Sequence, residues 1–198
     1  MERHLAAVMF TDLVGYTSTV QRSEAAGREL RARHRNTVER ALEEHQGTLL
    51  QYFGDGSLSV FSSAVEAVAA ARKIQGEFIS LPDADLRIGI ELGDIAYDDQ
   101  GAYGNAVNVA SRLETLSEPG GVLVSFKVWQ ELKNHPEFDL VHLGQIDLKN
   151  VPEPVSVYGL RGEGLAVPSD LQRKNQEVPG QPQKDEEWDA GPALEELW

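Results

Sequence analysis

The sequence contains no cysteine. Disulfide bonds, thiolate metal sites and a cysteine nucleophile are therefore excluded. A chain without cysteine fits a reducing compartment, and we expect a cytoplasmic protein. Long apolar runs are also missing. No stretch approaches the roughly 20 residues that a membrane-spanning helix needs, and Met1 to His4 does not begin a signal peptide. We therefore expect no membrane partner.

Basic residues are scarce: the chain has 18 Lys and Arg against 32 Asp and Glu, a formal net charge of -14. This charge argues against a nucleic-acid backbone or an anionic membrane surface as the main partner, because both are polyanions. A nucleotide substrate stays open. A local site can bind phosphate through backbone N–H groups and a divalent cation, even on an acidic surface.

The composition changes near residue 162. The whole chain has 198 residues and is 41% hydrophobic, which fits one globular domain with an extension. Residues 162–198 hold nine acidic and three basic residues and many prolines. We predict a folded domain over 1–161 and a mobile acidic tail over 162–198. Trp188 and Trp198 predict either docking on a surface or a partner, or plain disorder, and both remain open.

The order of the remaining patterns predicts an α+β fold with a ferredoxin-like βαββαβ core and C-terminal additions. Apolar runs predict strands, a three-and-four spacing predicts helices, and Gly54-Asp55-Gly56 predicts the tight turn of a hairpin. The core elements are a strand over 4–11, a helix over 23–45, a hairpin over 49–61, a helix over 63–80 and a strand over 86–92. The additions are a loop over 98–102, a helix over 103–116, strands over 122–125 and 155–160, a strand or hairpin over 138–148, and a short helix over 127–134.

This order brings two carboxylates together. A crossover through the first helix makes the first two strands parallel, so both end at the same edge of the sheet. Asp12 ends the first strand and Asp55 lies in the turn after the second. Such oxygen ligands suit Mg²⁺ or Mn²⁺ with a polyphosphate, and we rank two independent turn aspartates second. The segment Leu13 to Ser18 beside them predicts a phosphate cradle, although many strand-to-helix turns look similar.

A second polar pair lies on the predicted helix over 103–116. Asn108 and Arg112 are four residues apart and therefore share one helix face. A carboxamide beside a guanidinium suits a ribose oxygen and a charged phosphorus centre. Taken alone, a solvated helix face would be the commoner explanation.

Together these motifs resemble the catalytic domain of class III nucleotidyl cyclases over roughly residues 4–160. Each motif is modest alone, and their order and spacing make the combination specific. The motifs are Phe10 to Thr17, Phe53 to Gly56, Tyr103 to Leu113, and Leu148 to Val155 followed by Val157-Tyr158.

The resemblance implies that a nucleoside triphosphate is cyclised by attack of its 3′-hydroxyl on the α-phosphorus, with loss of pyrophosphate. It implies two Mg²⁺ or Mn²⁺ ions per site, held by Asp12, Asp55 and the carbonyl of Leu13. Asn108 would orient the ribose, and Arg112 would stabilise charge on the transferring phosphorus. The residues implied in triphosphate binding are Val14, Gly15, Tyr16, Thr17 and Lys149.

The resemblance also implies a head-to-tail homodimer with two shared sites. One subunit would supply the metal aspartates and the other the asparagine and the arginine, so a monomer would be inactive. A role in signalling follows from a cyclic nucleotide product.

The base-reading positions depart from the family pattern. Adenylate cyclases usually carry lysine and aspartate where this chain has Gln51 and Gly101, and guanylate cyclases typically carry glutamate and cysteine. Gln51 can donate and accept hydrogen bonds, and Phe53 is bulky and predicted on the same face, so the pocket is predicted to be narrow. We expect ATP or a pyrimidine nucleotide (product cUMP or cCMP, as in stand-alone antiphage members of the family), with GTP behind.

Two other functions are compatible with the sequence. The altered base positions would also suit a catalytically silent nucleotide-binding or interaction module on the same fold. Retention of all four groups Asp12, Asp55, Asn108 and Arg112 favours the enzyme. A diguanylate-cyclase-like palm is a weaker option, because the expected Gly-Gly-Asp/Glu-Glu-Phe motif is absent.

Overall fold

The structure is a computed structural model that describes residues 3–79, 81, 84–98 and 101–169. These residues form a mixture of helices and strands, as the predicted α+β fold requires. In chain order they are β1 (His4–Leu13), α1 (Tyr16–Arg22), α2 (Glu24–Glu44), β2 (Thr48–Phe53), β3 (Gly56–Phe61), α3 (Ala64–Phe78), β4 (Leu86–Asp98), β5 (Gly101–Tyr103), α4 (Asn105–Leu116), β6 (Val122–Ser125), α5 (Phe126–Leu132), β7 (Asp139–Ile146) and β8 (Val155–Arg161).

One sheet joins these strands in the order β2-β3-β1-β4-β6-β8-β7, and β5 pairs with β4. Strand β3 lies between β2 and β1 and is antiparallel to both, so β1 and β2 run parallel, as predicted. The predicted ferredoxin-like core is therefore confirmed. Strand β6 joins it through a parallel pairing with β4, and β8 and β7 extend the sheet as the C-terminal additions.

Two regions of the chain differ most from the predictions. Residues 16–22 form the separate helix α1, and the Ser23 side chain caps α2 by accepting a hydrogen bond from the amide of Ala26. Strand β4 continues to Asp98 and pairs with β5, where a loop was predicted. Helix α4 consequently begins at Asn105 rather than at Tyr103. The β4–β5 pairing is too short to produce a strand pattern in the sequence.

The two faces of the sheet carry different helices. Ala7 and Met9 of β1 pack in one buried cluster with residues of α2, α3 and α5. Ala6 and Val8 point to the opposite face, because side chains alternate along a strand, and pack there against α4. Helix α4 therefore lies alone among the described helices on its face of the core sheet, which leaves much of that face accessible.

The chain beyond β8 packs on the domain at first. Leu165 packs against the main core, and Ala166 forms a parallel bridge with Gly121. Ordered contacts thus continue past the domain boundary predicted at residue 161. The remainder of the predicted tail, 170–198 with both of its tryptophans, lies outside the described residues. Within the described part of the chain, no helix is long and apolar enough to cross a membrane.

Gly89 of β4 allows α4 to pack closely on the sheet. A Cβ at this position would overlap the backbone amide of Glu114 and the carbonyl of Ala110, and backbone cannot move aside as a flexible side chain can. We predict that Gly89→Ala lowers the free energy of unfolding by about 3 kcal/mol. Gly76→Ala is the matched control. Its Cβ would enter open space within helix α3, so it should stabilise by about 0.5–1 kcal/mol. Urea unfolding measures both, and an unchanged Gly89→Ala protein would contradict the close packing.

Candidate active site

Asp12 and Asp55 lie at the same edge of the sheet, as the strand order predicts. Asp55 is in the turn between β2 and β3, and Gly56 follows it against the end of β1. A Cβ at residue 56 would stand 2.6 Å from the carbonyl oxygen of Thr11 and 3.5 Å from Oδ1 of Asp12. The glycine therefore permits the turn to press on β1. Burial raises the pKa of Asp55, and the charge of Asp12 raises it further, which is the effect of two carboxylates that share a site.

The donor set suits a divalent cation that also binds substrate. Two carboxylates that repel each other are stabilised by a cation bound between them. Mg²⁺ commonly binds only one or two carboxylates, and water and phosphate oxygens are its other ligands. In the described ranges, no group of three or more His, Cys, Asp or Glu side chains is placed to hold a metal. Asp12 and Asp55 therefore fit a metal site that a polyphosphate completes.

Arg87 and Glu114 also belong to this region, and the sequence analysis missed both. Arg87 lies opposite Asp12 in the β1–β4 register, and its Nη2 donates to Oδ2 of Asp12 at 2.6 Å. Its Nε lies 3.2 Å from Oε1 of Glu114. Burial raises the pKa of Glu114 to about 7, opposed by the charge of Arg87. A single arginine within the apolar run of 86–92 was the available clue.

A groove of about 430 Å³ runs beside Asp12 on the α4 face of the sheet. Phe53 is 46% exposed and stacks on Phe10 with ring centroids 6.1 Å apart, so the groove has an aromatic wall. The opposite wall comes from α4 and includes Asn108. The lining residues are Phe10, Thr11, Asp12, Phe53, Gly56, Ser57, Val107, Asn108, Ser111 and Glu114.

Arg112 and Lys149 do not line this groove. Arg112 is half-buried on α4, and Lys149 is exposed in the connection between β7 and β8. Neither side chain, nor that of Asn108, has a hydrogen-bond or ion-pair partner within the portion of the chain that is described. A single chain thus brings Asp12, Asp55 and Asn108 to one region but leaves the two cations outside the groove.

The predicted phosphate cradle is a left-handed turn at the start of α1. Gly15 has a φ of 72°, which glycine adopts without strain. The amide of Val14 already donates to the carbonyl of Asp85 at 2.9 Å, so in this conformation it is not free for phosphate. The amides of Tyr16 and Thr17 fall in the first turn of α1, where no intrahelical acceptor exists.

The positions predicted to read the base lie on neighbouring strands. Gln51 is on β2 and Gly101 on β5, and these strands contact each other. Gln51 and Phe53 are both exposed, and they pair with Leu58 and Gly56 of β3, which places them on the α4 face. The structure therefore places the two strands that carry the predicted base-selecting residues next to each other.

A buried polar network supports β1 immediately before Asp12. Thr11 Oγ1 shares hydrogen bonds with Nε2 of His34 at 2.8 Å and with Oγ of Ser57 at 2.7 Å. All three residues are about 1% exposed. Burial, followed by the charge of Arg35, lowers the pKa of His34 from 6.5 to about 4. His34 is therefore neutral at pH 7 and joins α2 to both strands that carry the site.

Comparison with known proteins adds independent information. The model of a family described as the adenylate and guanylate cyclase catalytic domain matches residues 2–162. A Rhizobium meliloti (strain 1021) protein, provisionally named adenylate cyclase 3, is 36% identical over 166 residues, which is 80% of this chain and 28% of the relative. An uncharacterized Mycobacterium tuberculosis protein is 31% identical over 123 residues, 60% of this chain and 42% of the relative. This chain thus spans less than half the length of each of these relatives.

Solved structures of cyclases are also similar to this chain. The crystal structure of an adenylate/guanylate cyclase/hydrolase from Silicibacter pomeroyi matches with a TM-score of 0.74 and 31% identity, over 81% of this chain and 98% of that one. The adenylyl cyclase CyaB from P. aeruginosa matches with a TM-score of 0.71 and 25% identity, over 81% and 95% of the two chains.

The low pKa of His34 makes a prediction about acid stability. Between pH 6.5 and pH 4 the unfolded chain binds a proton at this histidine and the folded protein does not, so stability falls with falling pH. The loss attributable to His34 should be about 3 kcal/mol over this interval. We expect the free energy of unfolding of His34→Gln to depend less on pH by this amount. His4→Gln, at an exposed histidine that begins β1, serves as control, and equal pH slopes for wild type and His34→Gln would disprove the assignment.

Proposed function

We propose that this chain, which belongs to the adenylate and guanylate cyclase catalytic domain family, forms a 3′,5′-cyclic mononucleotide and pyrophosphate at two sites shared across a homodimer. The members of this family are lyases that act on nucleoside triphosphates. The observation that carries the proposal is the convergence of Asp12 and Asp55 at one sheet edge, beside an open groove. In the reaction the 3′-oxygen forms a bond to the α-phosphorus. The bond between the α-phosphorus and the oxygen that links it to the β-phosphorus breaks, which releases pyrophosphate, and the proton of the 3′-hydroxyl is lost to solvent.

Asp12 and Asp55, with the carbonyl of Leu13, are the residues that would hold two Mg²⁺ or Mn²⁺ ions. Such ions lower the pKa of the attacking hydroxyl and neutralise the triphosphate. In the free protein Asp12 forms an ion pair with Arg87 at 2.6 Å. When Asp12 binds a metal ion instead, the positive charge of Arg87 remains at this edge of the sheet, and this charge favours the binding of a polyanionic substrate.

The remaining groups bind and orient the substrate. The turn from Gly15 to Thr17 and the Lys149 ammonium contact the triphosphate. The Asn108 carboxamide orients the ribose, and the Arg112 guanidinium stabilises charge on the transferring phosphorus. Positioning and charge stabilisation then provide most of the catalysis, as expected for phosphoryl chemistry.

Two observations support the homodimer. Arg112 and Lys149 lie outside the groove that holds Asp12, so these cations fit a site completed by a second copy of the chain. The α4 face also exposes large aromatic side chains, Phe53 at 46% and Tyr97 at 41%, and exposed apolar surface of this kind is typical of an interface.

For the base, ATP and the pyrimidine nucleotides are ranked together. The similarity to proteins named as adenylate cyclases favours ATP. The replacement of both base-reading residues by Gln51 and Gly101, with Phe53 beside them, favours a smaller base. A pyrimidine product would suit a role in antiphage signalling.

The proposal predicts that Asp12→Asn and Asp55→Asn reduce turnover at least 1,000-fold while the fold is kept, because each loses a metal-binding charge. The assay uses Mn²⁺ with ATP, GTP, CTP and UTP separately and identifies products by mass spectrometry. Asp139→Asn, on the distant strand β7, is the matched control and should keep full activity. Wild-type activity in either site variant would refute the metal assignment. A folded wild-type dimer that makes no product would instead favour the silent binding module.

The shared site makes a separate prediction. Asp12→Asn and Arg112→Ala homodimers should both be inactive, whereas a mixed dimer retains one intact site of two. Since random mixing makes half of the dimers mixed, we expect roughly a quarter of wild-type activity after co-refolding. Native mass spectrometry verifies the mixed dimers, and their inactivity would show that each site is built within one chain.

A further inference from the structure

Strand β5 has Gly101 at the position where adenylate cyclases usually carry a base-reading aspartate, so this position has no side chain. Gly101 has a φ of +146° and Gly104 a φ of +145°, a conformation that side-chain-bearing residues rarely adopt. An aspartate at residue 101 would therefore be strained in this backbone. The space beside Gly101 is otherwise open: the nearest heavy atom to a Cβ built there is the hydroxyl oxygen of Tyr103, at 4.0 Å.

The geometry of β5 directs Tyr103 to this space. Residues 101 and 103 lie on the same side of the strand, because side chains alternate. Ala102 points to the other side and packs in the cluster that includes Leu50 of β2, which anchors β5 against the strand of Gln51. Tyr103 is 48% exposed, and over the described ranges its hydroxyl has no hydrogen-bond partner. The ring is thus held on a short paired strand and its polar end is free.

We infer that the Tyr103 hydroxyl is a base-selecting group, which takes the place of the side chain absent at Gly101 and works with the Gln51 carboxamide. This inference rests on the cyclase function proposed above. A phenol both donates and accepts, whereas a carboxylate only accepts. The pair Tyr103 and Gln51 can therefore hydrogen-bond a base edge that presents a carbonyl oxygen as well as one that presents an amine. Discrimination follows because a base that fails to pair leaves these groups without partners.

The test is Tyr103→Phe, which removes one oxygen and keeps the ring. The kcat/KM of each of the four nucleoside triphosphates is measured with Mn²⁺. We expect kcat/KM for the preferred base to fall about 10- to 100-fold, while the values for the other bases change less than threefold, so that selectivity collapses. Tyr97→Phe, an equally exposed tyrosine on β4, is the matched control and should leave selectivity unchanged.

Other outcomes separate the two hypotheses. An equal loss for all four bases in a normally folded Tyr103→Phe protein would assign Tyr103 a structural role and overturn the inference. Unchanged selectivity would overturn it as well. In both cases the wild-type activity still supports the cyclase. Failure of the wild-type protein to cyclise any base would refute the proposed function itself, and this inference with it.

Discussion

The contact between the β2–β3 turn and the end of β1 is the constraint on which the candidate site depends. Gly56 presses on the Thr11 carbonyl with no room for a side chain, and this places Asp55 within the field of Asp12. Immediately beneath, the network of Thr11, His34 and Ser57 joins the same two strands to α2. Two negative charges are thus held together by backbone and buried hydrogen bonds, an arrangement that a cation would relieve.

The sequence predicted those parts of the fold that local patterns determine. The apolar periodicity of α3 and the glycines around Asp55 are local signals, and the convergence of Asp12 and Asp55 followed from strand order alone. Arg87 and Glu114 were missed because their roles depend on register across β1, β4 and α4, which no local pattern contains. Strand β5 was missed for the same reason, since three residues bounded by glycines look like a loop until they pair with β4.

Within one chain, the groove contains some of the predicted site residues and leaves others outside it. Helix α4 covers only part of its sheet face, so Asp12 and Asn108 face open space. Arg112 and Lys149 remain unpaired cations in the part of the chain that the structure describes. An acidic chain with a net charge of -14 can still bind a triphosphate if these cations and bound metal offset the local charge. The two positions predicted to read the base, by contrast, carry no charge, because they are Gln51 and Gly101.

Metal coordination by Asp12 and Asp55 is the central claim. The most direct test is anomalous X-ray diffraction from crystals of the full chain grown with Mn²⁺ and an unreactive nucleoside triphosphate analogue. The account predicts Mn²⁺ peaks in contact with both carboxylates and with phosphate oxygens, and Arg112 of a second copy near the α-phosphate. Manganese bound elsewhere, with Asp12 still paired only to Arg87, would contradict it.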